Sequence, residues 1–225
     1  MLSKESREEI GLGLLTLADK YLGLVRNVLQ ENIKGGQCPV RSYDVSNNKS
    51  FDWEKYFEDT KWDYREIIIP ILFNFYHGLE LRMKGSLVLL SHYNISADHK
   101  LTGLLNDFRK NYKNQHKTIQ FLEKYIDTNF MPEYLKSWFV KHNLQIDNYY
   151  HFLKYPFDKK FEKSYNYFEL KYDLDSEAVN LSEAMVEDIR LFLQETRNIF
   201  HELSKSTKQE PYSPKQTKAL QWAKR

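Results

Sequence analysis

The chain has 225 residues, 41% apolar and 28% charged, enough for one substantial hydrophobic core and too apolar for a disordered polymer. With 33 basic and 31 acidic residues the formal charge is +2, which argues against a general nucleic-acid coat and leaves room for a local basic groove. The single cysteine, Cys38, excludes a disulfide framework and a zinc site built on cysteines. The charged opening MLSKESREEI has no secretory pattern, and the most apolar run, Ile67 to Phe73, falls far short of the roughly 20 residues that cross a bilayer. The expectation is a soluble, cytoplasmic protein with no membrane partner.

A helical period runs first from about Ser6 to Ile33, with Ile10, Leu14, Leu17, Tyr21, Leu24 and Leu29 as its apolar stripe. Gly35-Gly36 ends it, and Pro39 to Ser50 is rich in turn formers. A short amphipathic piece, Phe51 to Glu58, leads into a second long helix from about Asp63 to His92, with the stripe Ile69, Leu72, Tyr76, Leu79, Met83, Leu87, Leu90. Pro70 either kinks that helix or marks its first turn. Further helices are predicted at Lys100 to Tyr112, His116 to Ile126 and Pro132 to His142. From Tyr149 the period changes, and His151 to Pro156 and Ser164 to Tyr172 read as two short strands.

Asn180, with Glu183 three residues on, reads as a capped start for a last helix reaching about Lys205 on Met185, Ile189, Phe192, Thr196, Ile199 and Leu203. The fold class is therefore all-α, with a small two-strand insertion before the last long helix. One domain takes residues 1–206; 207–225 is a basic tail or a docked short helix. All eight glycines precede Leu104, and neither a phosphate-binding loop nor a dinucleotide fingerprint occurs.

Two groups of residues can carry chemistry. His77, Glu80 and Lys84 share one helix face, as an ordinary ion pair with a satisfied histidine or as a partly buried cluster with shifted proton affinities. Arg197 and His201, one turn apart, belong either to a solvated helix face or to a pair in which His exchanges a proton and Arg holds a phosphate. No histidines have zinc-ligand spacing, so neither a metal nor another cofactor is expected. From Lys100 to Gln120 the basic residues Lys100, Arg109, Lys110, Lys113 and Lys117 face only Asp107, which permits RNA to approach.

The run His77-Gly78-Leu79-Glu80-Leu81-Arg82-Met83-Lys84, followed by His99-Lys100-Leu101, resembles a His-x-Leu-Glu-x-x-x-Lys helix and a His-x-Leu element of bacterial HEPN-like helical proteins. Leu153-Lys154-Tyr155-Pro156 is similar to an Arg-Tyr-Pro element of some members, with Lys154 in the place of Arg. Arg197-Asn198-Ile199-Phe200-His201 resembles the superfamily's Arg–polar…His hallmark, with fewer residues between Arg and His than is usual there. The resemblance covers roughly Tyr64 to Ser204. It implies a helical bundle, often dimeric, whose relatives include metal-independent ribonucleases of toxin–antitoxin and phage-defence systems.

On that reading Arg197 and His201 are catalytic, meeting their copies in a homodimer cleft, RNA is the substrate, and an antitoxin or defence protein is a partner. Asn198, His77, Glu80, Lys84, His99 and Lys154 support the site or bind nucleotide or RNA. The alternative is a non-catalytic HEPN-like module that binds a partner protein, a nucleotide or nucleic acid.

Overall fold

The computed structural model describes residues 4–34, 64–90, 98–157 and 175–206, with isolated positions within 54–61 and 160–170; the side chains of 4, 175–179 and 198–206 lie outside the description. The described residues form α1 (Lys4–Lys34), α2 (Tyr64–Val88), α3 (Leu101–Asn111), α4 (His116–Ile126) and α5 (Glu133–Lys141). A 3-10 turn (Ile146–Asn148) then runs into α6 (Tyr149–Phe152), and α7 (Asp175–Ser206) follows. No helix among them is long and apolar enough to cross a membrane.

α2 is the centre of the bundle. Its apolar positions run round the whole cylinder, and Glu80, Arg82 and Lys84 are buried with them. α1, α3 and α6 pack on α2, α7 lies along α1, and α4 bridges α3 and α7. The core joins Leu22 and Val25 of α1, Leu72, Phe75, Leu79 and Met83 of α2, Leu105, Leu122, Phe139 and Phe152, and Met185, Ile189 and Phe192 of α7. Pro70 is well inside α2, so the helix continues through it and forgoes one backbone bond near its start.

α1 meets α2 on an unexpected stripe. The residues facing inward are Gly11, Leu15, Ala18, Leu22, Val25 and Leu29, one position off the stripe expected from the sequence, of which only Leu29 is buried. The reason is size. A Cβ on Gly85 would sit 2.7 Å from Leu15 Cγ and 3.0 Å from the Gly11 carbonyl oxygen, so the helices touch through their smallest residues. Because backbone cannot yield, Gly85→Ala is expected to destabilise the fold by about 1–3 kcal/mol in a urea titration.

Two further expectations change. α7 begins at Asp175, so Asn180 is inside it rather than capping it. The predicted strand from His151 to Pro156 opens as helix and turn, because Tyr149 and Phe152 are drawn into the core at helical spacing. Among the described residues no strand forms; an isolated antiparallel bridge joins Phe157 to Ser164. Most of Phe51–Glu58, most of Ser164–Tyr172 and all of 207–225 lie outside the described residues.

Candidate functional site

Glu80, only 2% exposed, is the hub of a polar cluster inside the bundle. Lys84, one turn on, donates to Oε1 at 2.8 Å. His99 Nδ1 lies 3.0 and 2.9 Å from the two carboxylate oxygens. The Tyr149 hydroxyl donates to Oε2. His77 Nδ1 stands 3.4 Å from that hydroxyl and 3.8 Å from Oε2, at the rim of the cluster.

The surrounding fold fixes each partner. Lys84 also donates to the Asp98 carbonyl at 2.6 Å, which ties the entry to α3 onto α2. Asp147 of the 3-10 turn accepts from the Thr102 amide at 2.8 Å and from its hydroxyl at 2.5 Å, capping α3 from a distance. These ties hold His99 flat against Tyr150, with ring centroids 4.3 Å apart and planes 12° apart. Lys154 lies over Tyr150 and Tyr155 at 5.2 and 5.4 Å from the ring centroids. His77 is boxed by Tyr21, edge-on at 5.0 Å, and Phe73, stacked at 6.0 Å.

Burial alone would raise the Glu80 proton affinity, but hydrogen bonds from His77, Lys84, Tyr149 and His99 outweigh it and bring its pKa down to about 2. The Tyr149 hydroxyl moves the other way, far above the ordinary phenol range, through burial and the adjacent Glu80 charge. Glu80 is thus an ionised carboxylate that can only accept. His99 must therefore donate to it from Nδ1. That imidazole is 40% exposed, and Nε2 has no partner among the described residues.

The sequence-predicted residues divide into two places. His77, Glu80, Lys84 and His99 form one cluster, and Lys154 joins it through Tyr150. Arg197 belongs to another. Arg82 donates to Asp19 at 2.6 Å, and the positive charge of Arg197 acts on both. Burial brings the Arg82 pKa down to about 10, with Asp19 opposing the shift and Arg197 adding to it; burial also raises Asp19 against both arginines. Residues two apart on a helix point about 200° from each other, so the Arg82 group and the Glu80 cluster occupy different sides of α2. Arg197 is exposed; the side chains of Asn198 and His201 lie outside the described residues.

The basic stretch of α3 and α4 is largely neutralised: Arg109 pairs with Glu123 at 2.7 Å, Lys117 with Glu195 at 3.0 Å and Lys110 with Asp107 at 3.6 Å. Sequence reasoning missed Tyr149, Tyr150 and Asp147; for the two tyrosines the one signal was the dense aromatic run after Tyr125. Among the described residues no group of three or more His, Cys, Asp and Glu side chains is arranged to hold a metal.

A shallow pocket between α2, α3, α4 and α7 is lined by Arg82, Ser86, Phe108, Tyr112, Thr118 and Thr196. The buried Thr118 hydroxyl there has no hydrogen-bond partner among the described residues. Removing a hydroxyl that bonds nothing relieves a desolvation cost, so Thr118→Val is expected to leave the melting temperature unchanged or raise it, by up to about 1 kcal/mol of stability.

Comparison of the chain with protein-family models, with curated proteins and with solved structures gives no match.

Proposed function

We propose that this chain is a HEPN-like ribonuclease that cleaves RNA without a metal, and that its proton-transfer centre is His99 held by Glu80. The observation that carries this reading is the pairing of a half-exposed imidazole, through Nδ1, with a buried ionised carboxylate, which leaves Nε2 basic. In the reaction Nε2 takes the proton of a ribose 2′-hydroxyl, and the 2′-oxygen bonds to the adjacent phosphorus. The bond to the 5′-oxygen breaks, and that oxygen takes a proton from His77 or water. The products end in a 2′,3′-cyclic phosphate and a 5′-hydroxyl. Lys154, exposed above Tyr150, offsets the charge that builds on the phosphorane. The Tyr150–His99 stack gives a base a flat neighbour.

One observation favours a second site: the Arg197 guanidinium is exposed, makes no ion pair with a described residue and precedes His201 by one turn, a shorter spacing than in the HEPN hallmark it resembles. Both sites suit a toxin or phage-defence enzyme, with an antitoxin as its natural silencer. The test is incubation with RNA in EDTA, with analysis of the product ends. Wild type and Arg197→Ala/His201→Ala are expected to give cyclic-phosphate ends, and His99→Gln to give them about 10²- to 10⁴-fold more slowly. Loss in the α7 double variant alone moves the chemistry to Arg197 and His201. Retention of RNA without cleavage makes the chain a binding module.

A further inference from the structure

α1 carries two apolar stripes, and the described residues bury one and leave the other partly exposed. Beside the buried stripe runs a second, Ile10, Leu14, Leu17, Tyr21, Leu24 and Val28, at alternating spacings of four and three residues, the pattern of a coiled-coil seam. Ile10, Leu17 and Leu24 in it are 36%, 43% and 50% exposed. Along its flank Gly13 has no described residue within 4 Å of where a Cβ would stand. Isolated apolar residues at a surface need no explanation, but a continuous seam of six marks an interface.

We propose that a second copy of this chain covers the seam, the two α1 helices packing antiparallel about a two-fold axis. The seam is its own complement. Turned end for end about the level of Asp19, Ile10 meets Val28, Leu14 meets Leu24 and Leu17 meets Tyr21, so every layer is apolar against apolar, as an isologous contact requires. The next positions outward on the same seam are Arg7 and Glu31, of opposite charge, and the antiparallel register brings them together at both ends. A parallel register would set Arg7 on Arg7 and Glu31 on Glu31, so charge selects the antiparallel one. Glu31 now pairs at 2.7 Å with Lys34 in an exposed contact that exchanges at little cost. Lys20, beside the axis, is exposed and long enough to turn its ammonium to solvent.

The seam also borders the candidate site. Tyr21, in its middle, packs edge-on against His77, so the dimer would place two Glu80 clusters on either side of the axis. The proposal stands on α1 alone and holds whether or not the chain acts on RNA. A single helix pair is a small interface, so the dimer is expected to dissociate on dilution.

Sedimentation velocity of the full chain over a wide concentration range tests it. Wild type is expected to shift from 27.1 kDa towards twice that mass as concentration rises. Leu17→Glu/Leu24→Glu, which alters only exposed positions, should stay monomeric with an unchanged circular dichroism melt. Arg7→Glu should weaken the dimer, and Arg7→Glu/Glu31→Arg should restore it. A monomer at every concentration, or a dimer that survives Leu17→Glu/Leu24→Glu, overturns the proposal; failure of the charge exchange to restore association overturns the antiparallel register.

Discussion

Glu80→Gln is expected to lower folding stability at neutral pH by about 3–5 kcal/mol, the cost of breaking a buried ion pair by removing one partner. The amide keeps the shape of the carboxyl but leaves the Lys84 ammonium, itself buried, without an opposite charge, facing only the neutral Asp98 carbonyl and the amide. It also replaces an acceptor-only group facing three donors with one that donates as well. Adding Lys84→Met should recover part of the loss, since a neutral pair no longer strands a charge.

The same site sets the response to acid. The Glu80 carboxyl titrates lower in the folded chain, at about 2, than its unfolded reference of 4.5. The stability it contributes is therefore fully present above about pH 4.5 and is lost as pH falls towards 2, a change of about 3 kcal/mol. Urea titrations of wild type from neutral to acid pH should show this decline, and Glu80→Gln should lack that component.

His99→Gln is expected to reduce RNA cleavage by about 10²- to 10⁴-fold, the usual contribution of a positioned general base. Glutamine retains an N–H that reaches the Glu80 carboxylate, so the melting temperature should change little while the rate collapses. Separating these two readouts distinguishes a residue that transfers a proton from one that merely braces α3.

The fold class was legible because apolar periodicity over long segments survives in three dimensions. Leu72, Tyr76, Leu79, Met83 and Leu87 of α2, and Met185, Ile189 and Phe192 of α7, are buried as their spacing requires. α1 misled because both of its stripes are apolar, and the choice between them depends on Gly11 and Gly85 touching across two helices, which no local pattern records. The strand reading of His151 to Pro156 failed for a related reason: a dense aromatic run signals burial but not the period at which it is buried. His77, Glu80 and Lys84 were visible as one helix face. Their partner Tyr149, 69 residues after Glu80, was not, because only the packing of α6 on α2 brings it there.

The central claim is that buried Glu80 fixes the hydrogen of His99 on Nδ1 and leaves Nε2 basic. Histidine ¹⁵N NMR at neutral pH, with the His99 signals assigned through His99→Gln, reads that state directly. The account predicts His99 as a single Nδ1–H tautomer in wild type and a mixture of tautomers in Glu80→Gln. A wild-type His99 that carries its hydrogen on Nε2 would contradict it.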